Sequence, residues 1–146
     1  MKKFLALALV FVLALGLLAG CGEAKQEPEG GDEAVNVCVV VSSTFGDRSF
    51  NDSAKEGADK LAADYENITI STIECNNENF DAQMQNAADT ANIVVCVGWE
   101  FYNVETIALD YPDVYWIWVD NATGAPVSNV LNITYAQNEG SYLAGY

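Results

Sequence analysis

The chain has no histidine, few cations and no nucleotide fingerprint, and each absence removes a class of function. Without histidine there is no imidazole to serve as general base or zinc ligand, and no Ser-His-Asp type of triad. Six Lys and Arg stand against 21 Asp and Glu, a net charge of −15 over 146 residues. That balance argues against nucleic acid as a partner, since phosphate binding needs basic clusters, and against polybasic contact with anionic lipid. No G-x-G-x-x-G follows the first strand-like run and no G-x-x-x-x-G-K occurs. A dinucleotide cofactor and nucleoside triphosphate hydrolysis are therefore not expected, and no cofactor is expected at all. Cys38, Cys75 and Cys96 show no C-x-x-C spacing, so they offer no frame for a metal.

What is present begins with an export signal. Lys2 and Lys3 precede the Leu/Ala/Val-rich run Phe4 to Ala19, and Leu18-Ala-Gly-Cys21 closes it. A basic start, an apolar run and small residues before a break describe a signal peptide. The closing "LAGC" resembles the lipobox of bacterial lipoproteins, in which the cysteine thiol is lipidated and the chain is cut before it. Residues 1–21 are thus expected to be a lipoprotein signal peptide, with Cys21 the lipidated new N-terminus. An uncleaved membrane anchor is the alternative, the run being near the lower length limit for a spanning helix. Residues 22–34 are rich in Gly and acidic side chains, contain Pro28 and have no apolar periodicity. They read as a disordered acidic tether, with a typical reach of roughly 20 Å.

From Val35 the pattern alternates. Strand-like runs are Val35–Val41, Ile68–Ile73, Ile93–Val97, Val114–Val119 and Val130–Tyr135. Between them lie helical periods: Ala54, Ala58, Leu61, Ala62 and Tyr65; Phe80, Met84, Ala87, Ala88 and Ala91; Val104, Ile107, Ala108 and Tyr111. Pro112 ends the third, because it disfavours helical geometry at Tyr111 and lacks an N–H. Strand–helix repetition with near-continuous apolar strands predicts an α/β fold, a doubly wound parallel sheet covered on both faces. An odd number of exported thiols cannot all pair internally; Cys38, Cys75 and Cys96 read as small core hydrophobes, with a bridge from Cys38 to a neighbouring strand left open.

Ligands of such sheets bind at the carboxyl ends of the strands, and here those ends are polar or aromatic. They carry Ser42, Ser43 and Thr44; Asn76 and Asn77; Trp99 and Glu100; Asp120 and Asn121; and Gln137, Asn138 and Glu139. Behind the first strand stands "FGDRSFNDSA", with Asp47, Phe50 and Asn51. Such residues also make ordinary turns and helix caps: Phe50 would then be a staple and Asn51 a cap. Backbone N–H groups at the start of the first helix would add free donors. The set Ser43, Asp47, Phe50, Asn51, Trp99, Asp120 and Asn121 is the candidate ligand site. With one arginine, Arg48, near these ends, its rings, amides and carboxylates suit a neutral heterocyclic or polyhydroxylated ligand.

"GDRSFNDSAKEG", "CVGWEFYNVETIALDYPDVYWIWVD" and "NVLNITYAQNEGSYLAGY" together resemble the basic membrane lipoprotein family, the purine-nucleoside-binding subunits of ABC importers. The resemblance runs from about Val35 to Tyr146. It implies one lobe of a fold like that of type I periplasmic binding proteins, with a purine nucleoside as ligand and an ABC permease and ATPase as partners. It also implies that Phe50 stacks on the base, that Asn51 is an amide partner and that Asp120 accepts from base N–H groups. Two positions depart from the family pattern: Ser42-Ser-Thr44 replaces an Asp after strand one, and Trp99-Glu100 replaces an apolar–aromatic pair. "EGSYLAGY" opens a helix with no stop signal, and in the family that helix precedes the second lobe. Residues 35–146 are therefore expected to be an N-terminal substrate-binding lobe cut before its partner lobe, with a stand-alone lobe as the alternative. Two other functions use the same residues: a sensory lipoprotein signalling to a membrane receptor, and a nucleoside-processing enzyme. The enzyme lacks a tight acidic cluster such as D-x-D-x-x-x-D-D.

Overall fold

The computed structural model describes residues 33–121 and 127–145. All belong to one compact unit, Asp32–Tyr146; the signal, Cys21 and all of the tether but Glu33 and Ala34 lie outside the described residues. The order of elements is β1 (Val35–Val41), α1 (Phe50–Asp64), β2 (Ile68–Glu74), α2 (Phe80–Ala88), β3 (Ile93–Val97), α3 (Val104–Ala108), β4 (Tyr115–Val119), β5 (Val130–Ile133) and α4 (Gln137–Ala144). The strands form one five-stranded sheet in the order β2-β1-β3-β4-β5, and every pairing is parallel. This is the doubly wound α/β architecture that the alternation predicts. From β1 the chain runs to β2 on one side, then crosses back to β3 on the other. A crevice therefore opens at the carboxyl ends of β1 and β3.

Side-chain alternation sorts each strand onto two faces. On one face Cys38, Val40, Val94, Cys96, Trp116 and Trp118 pack beneath Met84 and Ala87 of α2 and Val104 and Ile107 of α3. Phe101 is fully buried there and meets Phe80 edge to face at 5.4 Å. The other face is smaller: Val39, Val41 and Val97 pack against Ala58 of α1, with Ala54, Ile70 and Val95 at its margin. Over β4 and β5 this second face is open. Tyr115 and Leu131 are exposed, and the register puts Leu131 opposite Ile117 on the same side. The expectation of cover on both faces thus holds unequally among the described residues.

Register also answers the cysteine question. Cys38 pairs with Ser71 and Val94, and Cys96 pairs with Val40. Two steps of ~3.3 Å along a strand and one of ~4.8 Å across put Cys38 and Cys96 about 8 Å apart at Cα. A disulfide needs less than about 7 Å. Cys75 follows Glu74, which pairs with Val41, and so lies further from Cys38 along the strands. All three are free and buried. Burial pushes the Cys75 thiol up to about 11, with a smaller contribution from Cys38, as expected of inert core thiols.

Several element ends differ from the sequence expectation by one to three residues, and two of them matter for the site. The third helix stops at Ala108 rather than running to Tyr111. Val114 N–H bonds the Tyr111 carbonyl in the turn through Pro112, and Asn129 Nδ2 lies 2.9–3.2 Å from the carbonyls of Ala108, Tyr111 and Val114. One side chain from the entrance of β5 thus reaches three carbonyls around the turn, two of which, those of Ala108 and Tyr111, also accept the backbone N–H groups of Tyr111 and Val114. β5 stops at Ile133, which leaves Thr134 and Tyr135 outside the ladder.

Candidate functional site

The loop from Ser42 to the first turn of α1 is built by its own carboxylates. Glu74, at the end of β2, accepts the Phe45 N–H at 2.6 Å. Asp52 accepts from Gly46 and Arg48 at 2.7 and 2.8 Å. Asp47 accepts from Ser49, Asn51 and Asp52 at 2.9–3.1 Å. The chain turns through two left-handed positions, Gly46 (φ 88°) and Arg48 (φ 53°). Donation first from the Ser49 N–H and then from that of Asn51 lowers the Asp47 carboxyl below its ordinary value. The donors of Ser49, Asn51 and Asp52 at the helix start are therefore engaged internally, because Asp47 caps α1 while the side chain of Ser49, at the N-cap, makes no capping bond.

Asn51 is buried and its amide nitrogen bonds Ser43 Oγ at 2.9 Å and the Thr44 carbonyl at 3.0 Å. Both residues are thus tied into the loop, and what the loop offers outward is the ring of Phe50. That ring, 37% exposed, opens α1 and meets the Tyr135 ring in a T-shaped contact at 6.2 Å and 70°.

Across the crevice the exits of β3 and β4 are fixed in the same way. Gly98 has φ +129° and sits so close to the Glu100 carboxylate that a Cβ would clash with it. Its carbonyl accepts the buried indole N–H of Trp118 at 2.8 Å. This bend turns Trp99 outward, where it is exposed. Asp120 takes a left-handed conformation (φ 69°) and accepts from Gln137 Nε2 at 2.7 Å. Asn121 reaches Asn132 Oδ1 at 3.3 Å. Trp99, Asp120, Asn121, Thr134, Tyr135 and Gln137 together line a cavity of about 270 Å³.

The candidates therefore fall into two groups. Ser43, Asp47, Phe50 and Asn51 share the β1–α1 loop, and Trp99, Asp120 and Asn121 share the β3–β4 rim, with Tyr135 joining the two. Sequence reasoning passed over Tyr135 because it was read as the last residue of strand five. The signal was the loss of β-branched residues after Ile133 and the polar run that follows. Glu74 was missed because a carboxylate ending an edge strand looks like any solvated side chain. A second cavity of about 340 Å³ runs under α1, lined by residues such as Val39, Ala54, Val95 and Val97. Among the described residues no group of three or more acidic or thiol side chains is placed to hold a metal.

In parallel sheets wound in this way the crevice at the carboxyl ends of the strands is where ligands bind, and here it carries exposed rings beside a carboxylate and amides. Comparison with known proteins places the chain further. Residues 34–146 match the family model described as "ABC transporter substrate-binding protein PnrA-like", and the chain belongs to this family. It is 25% identical to Basic membrane protein A1 of Borrelia garinii subsp. bavariensis, an alignment covering all of this chain and 42% of that protein. It is 30% identical to the CD4+ T-cell-stimulating antigen of Listeria innocua over 99% of this chain and 44% of that one. An ABC transporter system solute-binding protein from Conexibacter woesei superposes with a TM-score of 0.62 at 27% identity, covering 77% of this chain and 39% of that chain. Another from Aeropyrum pernix K1 shares the fold with a TM-score of 0.68 at 24% identity, over 76% and 31%. The chain spans about two fifths of the length of the curated relatives it matches.

Proposed function

We propose that this chain is the ligand-capturing lobe of an ABC importer's substrate-binding lipoprotein, and that its solute is a purine nucleoside. It would work outside the cytoplasmic membrane, anchored through lipid on Cys21 and delivering its ligand to the permease and ATPase subunits. Phe50 carries the reading: an exposed ring that meets Tyr135, which also lines the cavity beside the Asp120 carboxylate. Stacking suits a heterocycle, the carboxylate and amides suit base N–H and ribose hydroxyl groups, and Arg48 is the one cation in these loops among the described residues. Family membership supports the transport role and favours binding over catalysis.

One lobe offers one wall of a cleft, so affinity should be in the millimolar range at best, about −4 kcal/mol. Titrating the labelled chain with inosine and adenosine, followed by NMR, should shift the Phe50 and Asp120 signals. Phe50→Ala should weaken both nucleosides roughly ten- to a hundredfold, from a stacking contribution of about 1–3 kcal/mol. Asp120→Asn should weaken inosine, whose N1 carries a proton, more than adenosine, whose N1 does not. Losses independent of the base would point to a sugar ligand and overturn the nucleoside reading.

A further inference from the structure

We propose that Tyr135 is the positioning residue for the Phe50 ring. The proposal rests on the reading of Phe50 as the ring that meets the ligand. The backbone at Phe50 is fixed by the loop's carboxylates, but nothing in that brace holds the side chain, which stands at a helix start with a third of its surface in water. Tyr135 supplies the missing constraint. It approaches from the end of β5, on the opposite side of the crevice mouth, and presents an edge-to-face contact at 6.2 Å. In that geometry the positive ring edge meets the negative ring face, an arrangement preferred over face-to-face stacking.

The two cavities show why this matters. Tyr135 lines both the apolar groove beneath α1 and the polar cavity beside Asp120, and it alone is shared by the two. Phe50 lines the groove as well, along with Ala54, Val95 and Val97. A ring that lines an apolar groove and keeps a third of its surface in water can turn between the two. The contact with Tyr135 holds it in one orientation. No ordering of the ring then has to accompany ligand binding.

The test has two arms. In the labelled chain, Phe50 and Tyr135 ring protons should show mutual NOEs, and Phe50 should hold one χ1 rotamer. Tyr135→Ala should send Phe50 into rotamer averaging while the amide signals of β1, β3 and β4 stay in place. Tyr135→Phe should restore the single rotamer, because the contact is between the rings. A Phe50 ring already averaging in the native chain, or unmoved in Tyr135→Ala, overturns the proposal. In the second arm, inosine is titrated into a double-mutant cycle. Tyr135→Ala should weaken binding roughly three- to tenfold, the size of one such ring contact, and should have no effect when Phe50 is already Ala. An equal loss in the Phe50→Ala background means that Tyr135 touches the ligand itself, and overturns the positioning role. Should the native chain fail to bind inosine, the nucleoside reading falls, and the rotamer arm alone decides the role of Tyr135.

Discussion

The two faces of the sheet are made from alternate residues of the same strands, yet they are finished differently. Trp116 and Trp118 of β4 are buried beneath α2 and α3, while Tyr115, one residue away on the other side, is 65% exposed. Both faces read as apolar in sequence, so hydrophobicity does not separate them. What separates them is cover. The connections on the far side of β1 bring two helices to one face, and the single outgoing connection brings only α1 to the other. Apolar side chains contribute to stability only where something excludes water from them, so the same residue type should carry very different energies on the two faces.

The largest effect should come from the covered face. Trp116→Ala would leave a cavity among Val94, Ile107 and Ala108 that rigid strands and helices fill poorly, costing about 3–5 kcal/mol. Tyr115→Ala, on the open face, should stay within about 0.5 kcal/mol. Urea unfolding of the two variants checks this, and equal losses would mean that the open face is covered in solution. A sharper variant is Trp116→Phe. Among the described residues the Trp116 indole N–H has no acceptor, so removing it relieves an unmet donor and offsets part of the lost volume.

An intermediate effect should come from Asn129, which ties the end of α3 to the entrance of β5 through contacts with three carbonyls. Asn129→Ala removes the side-chain donor that links those carbonyls, two of which keep backbone partners, and should cost about 0.5–1.5 kcal/mol. Hydrogen exchange should then speed up in β5 and α3 and remain slow in β1, which is held by β2 and β3. Uniform acceleration across the sheet would refute a local clamp.

The smallest effect concerns α1, the only helix that covers the second face among the described residues. Its cap is the Asp47 carboxylate, which donation from the Ser49 and Asn51 N–H groups holds below 3.8. A group whose folded value is lowered contributes above its unfolded value, and loses that contribution as pH falls through the folded one. Stability should therefore drop below about pH 4 in part through this residue. Asp47→Asn should flatten the acid limb of the stability curve slightly. An unchanged limb would mean that the cap is worth the same in either charge state.

Legibility followed the same division. The bounds of β1 and β3 were readable because β3 is a continuous apolar run and β1 is one broken only by Asn36, and Pro112 marked where the third helix had to fail. Its actual end, three residues earlier, is met by Asn129, a partner 21 positions from Ala108 that no local pattern reveals. Phe50 and Asp120 were legible as residues at strand ends, since topology alone brings strand ends together. The engagement of Asp47 and Asn51 within their loop was not legible, because a carboxylate or amide at a helix start reads equally well as cap or ligand group.

The sequence by itself determined the winding, the parallel sheet and the chemistry of its carboxyl rim, because periodicity and residue type are local quantities. Only the tertiary structure decided which apolar face is closed, which helix-start donors remain open and which ring stands beside Phe50. Those depend on contacts such as Glu74 with Phe45, 29 positions apart, and Tyr135 with Phe50. Such partners are chosen by the packing of whole elements, and the spacing of residues along the chain does not encode them.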